Sequence, residues 1–153
     1  MPPRPPETRL RIAVAALLRP GTGSGPSGPG TEVLIALRRP DAIRGGVWEL
    51  PGGKVAPGET PAAAAARELL EETGVTVDPA LGRELGSVDQ DDPALAAERS
   101  IRLTLVAFEA PPGAEPRPLA AVECRWEAID ALDGYSWPSA NRRINAMLLA
   151  ACT

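Results

Sequence analysis

Three glutamates set the chemical question. Glu68, Glu71 and Glu72 fall at i, i+3 and i+4 in RELLEETG. That spacing places all three carboxylates side by side on a helix face. Like charges so placed repel by roughly a few tenths of a kcal/mol per pair, so something favourable must offset the crowding. Upstream lies the glycine-rich stretch LPGG at residues 50–53, with Glu59 between it and the glutamates. Glycines let a backbone come close to a ligand, and their carbonyls add oxygen donors. An all-oxygen set suits a hard divalent cation, and Mg²⁺ takes carboxylate, carbonyl, water and substrate phosphate oxygens.

Composition narrows what such a site can do. The chain has 153 residues and no histidine, so nucleophile triads, general bases and zinc sites built on histidine are all excluded. Cys124 and Cys152 make no Cys-x-x-Cys, which removes a zinc ribbon or a redox pair. Catalysis must run on carboxylates, arginines, the single lysine Lys54 and metal ions. The net charge of −4 and pI near 4.9 argue against a nucleic-acid polymer as partner. A small phosphorylated ligand remains compatible, since local arginines and a metal can hold phosphate within an acidic protein. No apolar run approaches the roughly 18 residues that span a bilayer. The N-terminal MPPRPPETRL has no apolar leader segment, so the expectation is a cytoplasmic protein without membrane attachment.

The positioning elements follow from pattern. Residues 1–8 read as a disordered Pro-rich arm, followed by a single domain over 9–153 with a flexible Gly/Pro/Ser-rich loop at 19–31. Residues 10–18 and 32–39 read as hairpin strands, and 45–53 as a short strand breaking into a glycine turn. The best-defined helix opens with Thr60 as N-cap and Pro61 at its first position. It runs through the alanines 62–66 to Gly74, where a left-handed C-cap belongs. Strands are expected in LGRELGSVDQ, IRLTLVAFEA and CRWEAI, and a helix over 141–152. The order is a mixed sheet covered by helices, an α/β class.

The stretch from Gly53 to Val75 resembles the Nudix box, Gly-x5-Glu-x7-Arg-Glu-U-x-Glu-Glu-x-Gly-U, where U is a bulky aliphatic residue. Gly53, Glu59, Arg67, Glu68, Leu69, Glu71, Glu72, Gly74 and Val75 match every defined position. The resemblance implies an α/β/α sandwich with a mixed sheet and the box as a loop–helix–loop. It implies hydrolysis of a nucleoside diphosphate linked to a further group, with Mg²⁺ as cofactor and Mn²⁺ as an alternative. It assigns the metal to Glu68, Glu71 and Glu72, helped by the carbonyl of Gly52 or Gly53. Glu68 doubles as general base, Arg67 orients a catalytic glutamate, and Glu59 ties loop to helix, possible partner Arg67.

Outside the box, the closest resemblance is to MutT-type 8-oxo-dGTP diphosphatases. ALRRP resembles their phosphate-side arginines, with Arg39 the first choice and Arg38 the second. WELPGGK resembles the turn that meets the base through backbone groups near Leu50, with Lys54 helping at the phosphates. YSWPSANRRI resembles the segment whose asparagine reads oxidised guanine, here Asn141, with Trp137 as a wall of the base pocket. An amide donates and accepts at once and so can meet a purine edge twice. Two plainer roles compete: Asn141 as the cap of the last helix, and Trp137 as core. One position departs from the pattern. The further loop glutamate of MutT-type enzymes falls at Ala120, leaving Glu123, three residues on, as the substitute metal ligand. Hydrolysis of ADP-ribose or diadenosine polyphosphates is the alternative activity, and a non-catalytic nucleotide-binding regulator the alternative class. As family members are both monomers and homodimers, either state is expected.

Overall fold

The computed structural model describes residues 10–21, 30–42, 45–91 and 100–152. The expected Pro-rich arm, the middle of the loop at 19–31 and residues 92–99, between the strands expected in LGRELGSVDQ and IRLTLVAFEA, lie outside these residues. The ends of that first loop are strand: β1 is Leu10–Pro20 and β2 is Thr31–Leu37. Then come β3 (Trp48–Glu49), β4 (Gly52–Lys54), helix α1 (Pro61–Thr73), β5 (Arg83–Asp91), β6 (Ser100–Glu109), β7 (Glu123–Ala128) and helix α2 (Ser139–Ala151). Short 3₁₀ segments at Pro79–Leu81 and Ile129–Gly134 precede β5 and α2. Among the described residues no helix is long and apolar enough to cross a membrane.

The sheet is mixed, in the order β3-β2-β1-β6-β5, with β4 also on β1 and β7 on β2. β1 is its spine. It runs parallel to β6 from Leu10↔Ile101 to Leu18↔Glu109. Its other edge is shared: Ile12–Val14 pair with β4, whereas Leu18–Pro20 pair with β2. The glycine turn expected at 52–53 is therefore also a strand. Sequence conceals this, because glycines weaken strand patterns.

Both faces of β1 are covered, so it reads as one continuous apolar run. Ala13, Ala15 and Leu17 face α1, packed with Ala64, Ala65 and Leu69. Val14, Ala16 and Leu18 face the other layer, with Ile144 and Leu148 of α2. The α/β/α layering implied by the box is present. The small alanines of α1 let the helix lie close to the sheet. Its ends are as expected: Thr60 Oγ1 accepts from the Ala63 N–H at 3.1 Å, and Gly74 closes it at φ 76°.

The two glycines of β4 leave space that a Cβ would take up. A Cβ on Gly52 would stand 2.3 Å from the Ala13 carbonyl oxygen, and one on Gly53 would stand 2.4 Å from the Glu68 carboxylate. The first clash is with backbone and has no easy relief. Gly52→Ala is expected to destabilise the fold by about 1–3 kcal/mol through overpacking. Gly134→Ala, where nothing lies within 4 Å, should stay within about 0.5 kcal/mol of wild type. Urea denaturation of both variants checks this, and equal midpoints would refute the close-packing role of Gly52.

Candidate active site

Arg67 organises the glutamates of α1. Its Nε and Nη2 donate to Glu59 at 3.0 and 2.9 Å, and Nη2 also donates to the Lys54 carbonyl at 2.9 Å. Nη1 donates to Glu68 at 2.8 Å and lies 3.7 Å from Glu71. One guanidinium thus ties the loop, β4 and two of the three glutamates together, a fork that only arginine supplies. Glu59 also accepts from the Ala56 N–H at 2.9 Å. The Arg67 and Ala56 hydrogen bonds pull its carboxyl down to about 2. Those bonds from Glu59 and Glu68 push Arg67 upward in turn.

Glu72 is held differently. It accepts from the Gly52 N–H at 2.9 Å. Burial pushes its carboxyl up to about 8 against that bond, and the charges of Glu49, Glu68 and Glu71 add to the rise. Glu72 therefore feels three neighbouring carboxylates across the glycine turn. Their oxygens, with the neighbouring carbonyls of Gly52 and Gly53, form an oxygen-only set deficient in positive charge, which fits a hard divalent cation. Among the described residues no three acidic side chains yet gather closely enough to enclose an ion. The convergence expected of Glu68, Glu71 and Glu72 is divided, with two of them turned to Arg67 and one to Gly52.

Beside the turn lies a cavity of about 300 Å³. Its floor is the sheet face carrying Ile12, Val14 and Leu103, and its rim includes Gly52, Gly53, Leu50, Arg38, Glu49 and Asn141. Asn141 arrives there on α2, which begins two residues earlier than expected, at Ser139. It sits inside the first turn and is not the cap; Pro138 occupies that position. Asn141 lines the cavity.

Several expected residues stand elsewhere. Arg38, not Arg39, reaches the cavity, and Arg39 is exposed. The alternation of β2 into the following turn decides which of the two faces inward. Lys54 gives its carbonyl to Arg67 and leaves its side chain exposed. Trp137 is core: it is 7% exposed, and its indole N–H donates to the Leu132 carbonyl at 2.7 Å. Glu123 pairs with Arg125 at 3.1 Å on the outer side of β7. Its neighbour Cys124 lines a small recess with Glu72, and strand alternation turns Glu123 to the opposite face. The structure thus does not bring Glu123 together with the glutamates of α1. The missed residue is Glu49. It lies 3.3 Å from Arg38 Nη1 and borders both the recess and the cavity. Burial raises its carboxyl, with Arg38 opposing. Its position between Trp48 and the glycine turn was the only available signal.

The NUDIX domain family model matches residues 9–148. A Mycobacterium tuberculosis protein named "Putative 8-oxo-dGTP diphosphatase 2" is 43% identical over 115 residues, covering 74% of this chain and 76% of that one. A MutT structure, from work on Aliivibrio salmonicida and Vibrio cholerae, superposes with TM-score 0.63 at 30% identity, covering 92% of this chain and 98% of the other. The Nudix hydrolase RenU of M. smegmatis superposes with TM-score 0.72 at 24% identity, covering 94% and 85%, a likeness of fold.

The arginine fork predicts an asymmetric response. Arg67→Lys keeps the charge but loses the simultaneous contacts to Glu59, Glu68 and Lys54. Steady-state kinetics should show kcat lowered about 10–100-fold, as for other groups that orient a ligand from behind. An unchanged kcat would show that Arg67 does not position Glu68.

Proposed function

The chain belongs to the Nudix family, as a hydrolase acting on pyrophosphate bonds, and from that premise we propose that its substrates are purine deoxynucleoside or nucleoside triphosphates, oxidised guanine foremost, cut to monophosphate and pyrophosphate. One observation carries the reading. A single cavity joins the glycine turn of the carboxylate helix to Asn141 and Arg38. A nucleotide laid along it would have its phosphates at Gly52–Gly53 and its base at Asn141. The name of the M. tuberculosis relative supports the same substrate class.

Roles follow from position. Glu68, Glu71 and Glu72 would hold Mg²⁺, or Mn²⁺ in its place, with the carbonyl of Gly52 or Gly53. Bound there, the cation supplies charge neutralisation at the phosphate oxygens. Glu68 is the general base. As the water oxygen bonds to phosphorus and the anhydride P–O bond breaks, Glu68 takes the water proton and pyrophosphate departs. Arg67 fixes the Glu68 carboxylate through its Nη1 contact. Arg38 meets phosphate oxygens by charge-assisted bonds. The apolar floor and Leu50 hold the base, and Asn141 reads its edge with one donor and one acceptor. Phosphoryl transfer asks mainly for positioning and charge neutralisation, which suits a site without histidine or a covalent nucleophile.

Pyrophosphate release should require added Mg²⁺ and stop on chelation. Glu68→Gln, an isosteric change, should cut the rate about 10²–10⁴-fold, the usual share of a general base, while the circular dichroism spectrum stays unchanged. A folded Glu68→Gln enzyme with full activity would remove Glu68 from the role. Across a panel of nucleotides, the highest kcat/KM should fall to 8-oxo-dGTP; a lead for ADP-ribose or a dinucleotide would overturn the substrate assignment.

A further inference from the structure

Asn141 is one polar reader on the cavity wall, and the cavity has another amide. Gln90 lies on β5, paired with Ile101 of β6, and lines the same cavity. Two residues before it, Val88 is buried in the core layer on the α2 side. Strand alternation puts Gln90 on that same face, toward α2 and Asn141. Gln90 and Asn141 thus approach the cavity from different elements, one from the sheet and one from the helix. Between them the floor is apolar, with Ile12, Ile101 and Leu103.

The spacing of the two amides is set by the packing of α2 on β5. Arg143, two residues after Asn141, donates from Nη2 to the carbonyl of Asp89, the residue before Gln90, at 2.8 Å. Asp89 is itself held by Arg102 at 2.8 and 3.0 Å. Gly86 lets the helix come in: a Cβ there would stand 2.6 Å from the Met147 sulfur. The helix end bearing Asn141 is thereby tied to the strand end bearing Gln90.

We infer that Gln90 is a second base-reading residue, which together with Asn141 makes the cavity prefer purines to pyrimidines. The inference deepens the proposed function and rests on it. Each amide offers an N–H₂ donor and a carbonyl acceptor. On an apolar floor these amides offer polar contacts to a base edge, apart from Arg38 and Glu49 at the rim. A purine, with two fused rings, carries hydrogen-bonding groups on both rings and so has one edge for each amide. A pyrimidine at Asn141 is one ring shorter and leaves Gln90 unmatched. Discrimination then comes from a hydrogen bond that only the larger base completes, the kind of difference a polar site enforces well.

The test is Gln90→Met, which keeps chain length and removes both polar atoms. With Mg²⁺ present, kcat/KM is measured for 8-oxo-dGTP, dGTP, dCTP and dTTP on wild type and variant. Purine kcat/KM should fall about tenfold, the effect of one lost hydrogen bond, chiefly through KM, while the pyrimidine values change less than about twofold. Calorimetric binding of dGMP and dCMP to both proteins gives a second readout independent of turnover, with loss expected for dGMP alone. Equal losses for all four nucleotides would mark Gln90 as structural, and no loss would remove it from recognition; either overturns the inference. The wild-type panel tests the parent reading separately. If wild type does not prefer purine triphosphates, the proposed function fails. If it does and Gln90→Met keeps the same preference, the inference alone fails.

Discussion

Everything in this molecule is arranged around carboxylates that repel one another. Beside Gly52, burial first of all pushes Glu72 up to about 8, and the charges of Glu49, Glu68 and Glu71 add to the rise. Alone, such a group would tend to protonate or splay apart. Two devices in the chain prevent that. Arg67 draws Glu68 and Glu71 to one guanidinium, and the Gly52 N–H fixes Glu72. Both are partial remedies: Arg67 brings one positive charge, shared among Glu59, Glu68 and Glu71, and the Gly52 N–H brings none to Glu72, which leaves room for a cation brought from solution.

The fold can be read as the support for that tension. β1 carries β4 on the first part of its edge and β2 on the last, so the glycine turn is stitched to the centre of the sheet. Gly53 lacks the Cβ that would strike Glu68, which lets α1 bring its carboxylate against the strand. On the opposite side of the sheet, α2 closes the far wall of the cavity. The acids are thus presented from one layer and the amide Asn141 from the other, with the spine strand between them. Chemistry and recognition meet where the two layers both reach the end of the sheet.

Much of this was legible beforehand, for particular reasons. The α1 helix was explicit in its N-cap, its alanines and its terminal glycine, all local signals. The box positions follow a fixed spacing, and the Glu59–Arg67 tie expected from it is present at hydrogen-bond distance. What the sequence does not show is side-chain direction and strand partnership. Whether Arg38 or Arg39 faces the cavity depends on how β2 ends against β3, which two adjacent arginines do not reveal. Glu123 seemed close in the chain to the missing acidic position, but pleat alternation sends it outward to Arg125. Gln90 carried no local signal and Glu49 only its place beside the glycine turn, because their positions on the cavity arise from α2 packing over β5 and from β3 meeting β2. Asn141 was ambiguous until the start of α2 was fixed by Pro138.

The most direct test of the central claim is calorimetric titration of Mg²⁺ into the metal-free protein, with Glu72→Gln alongside. If the crowded acids are a cation site, wild type binds saturably and Glu72→Gln binds at least about tenfold more weakly, within the range lost on removing a supporting metal-site group. Indistinguishable titrations of the two proteins, or no saturable binding to wild type, would contradict the account, since the repulsion around Gly52 would then be relieved by Arg67 and the backbone alone.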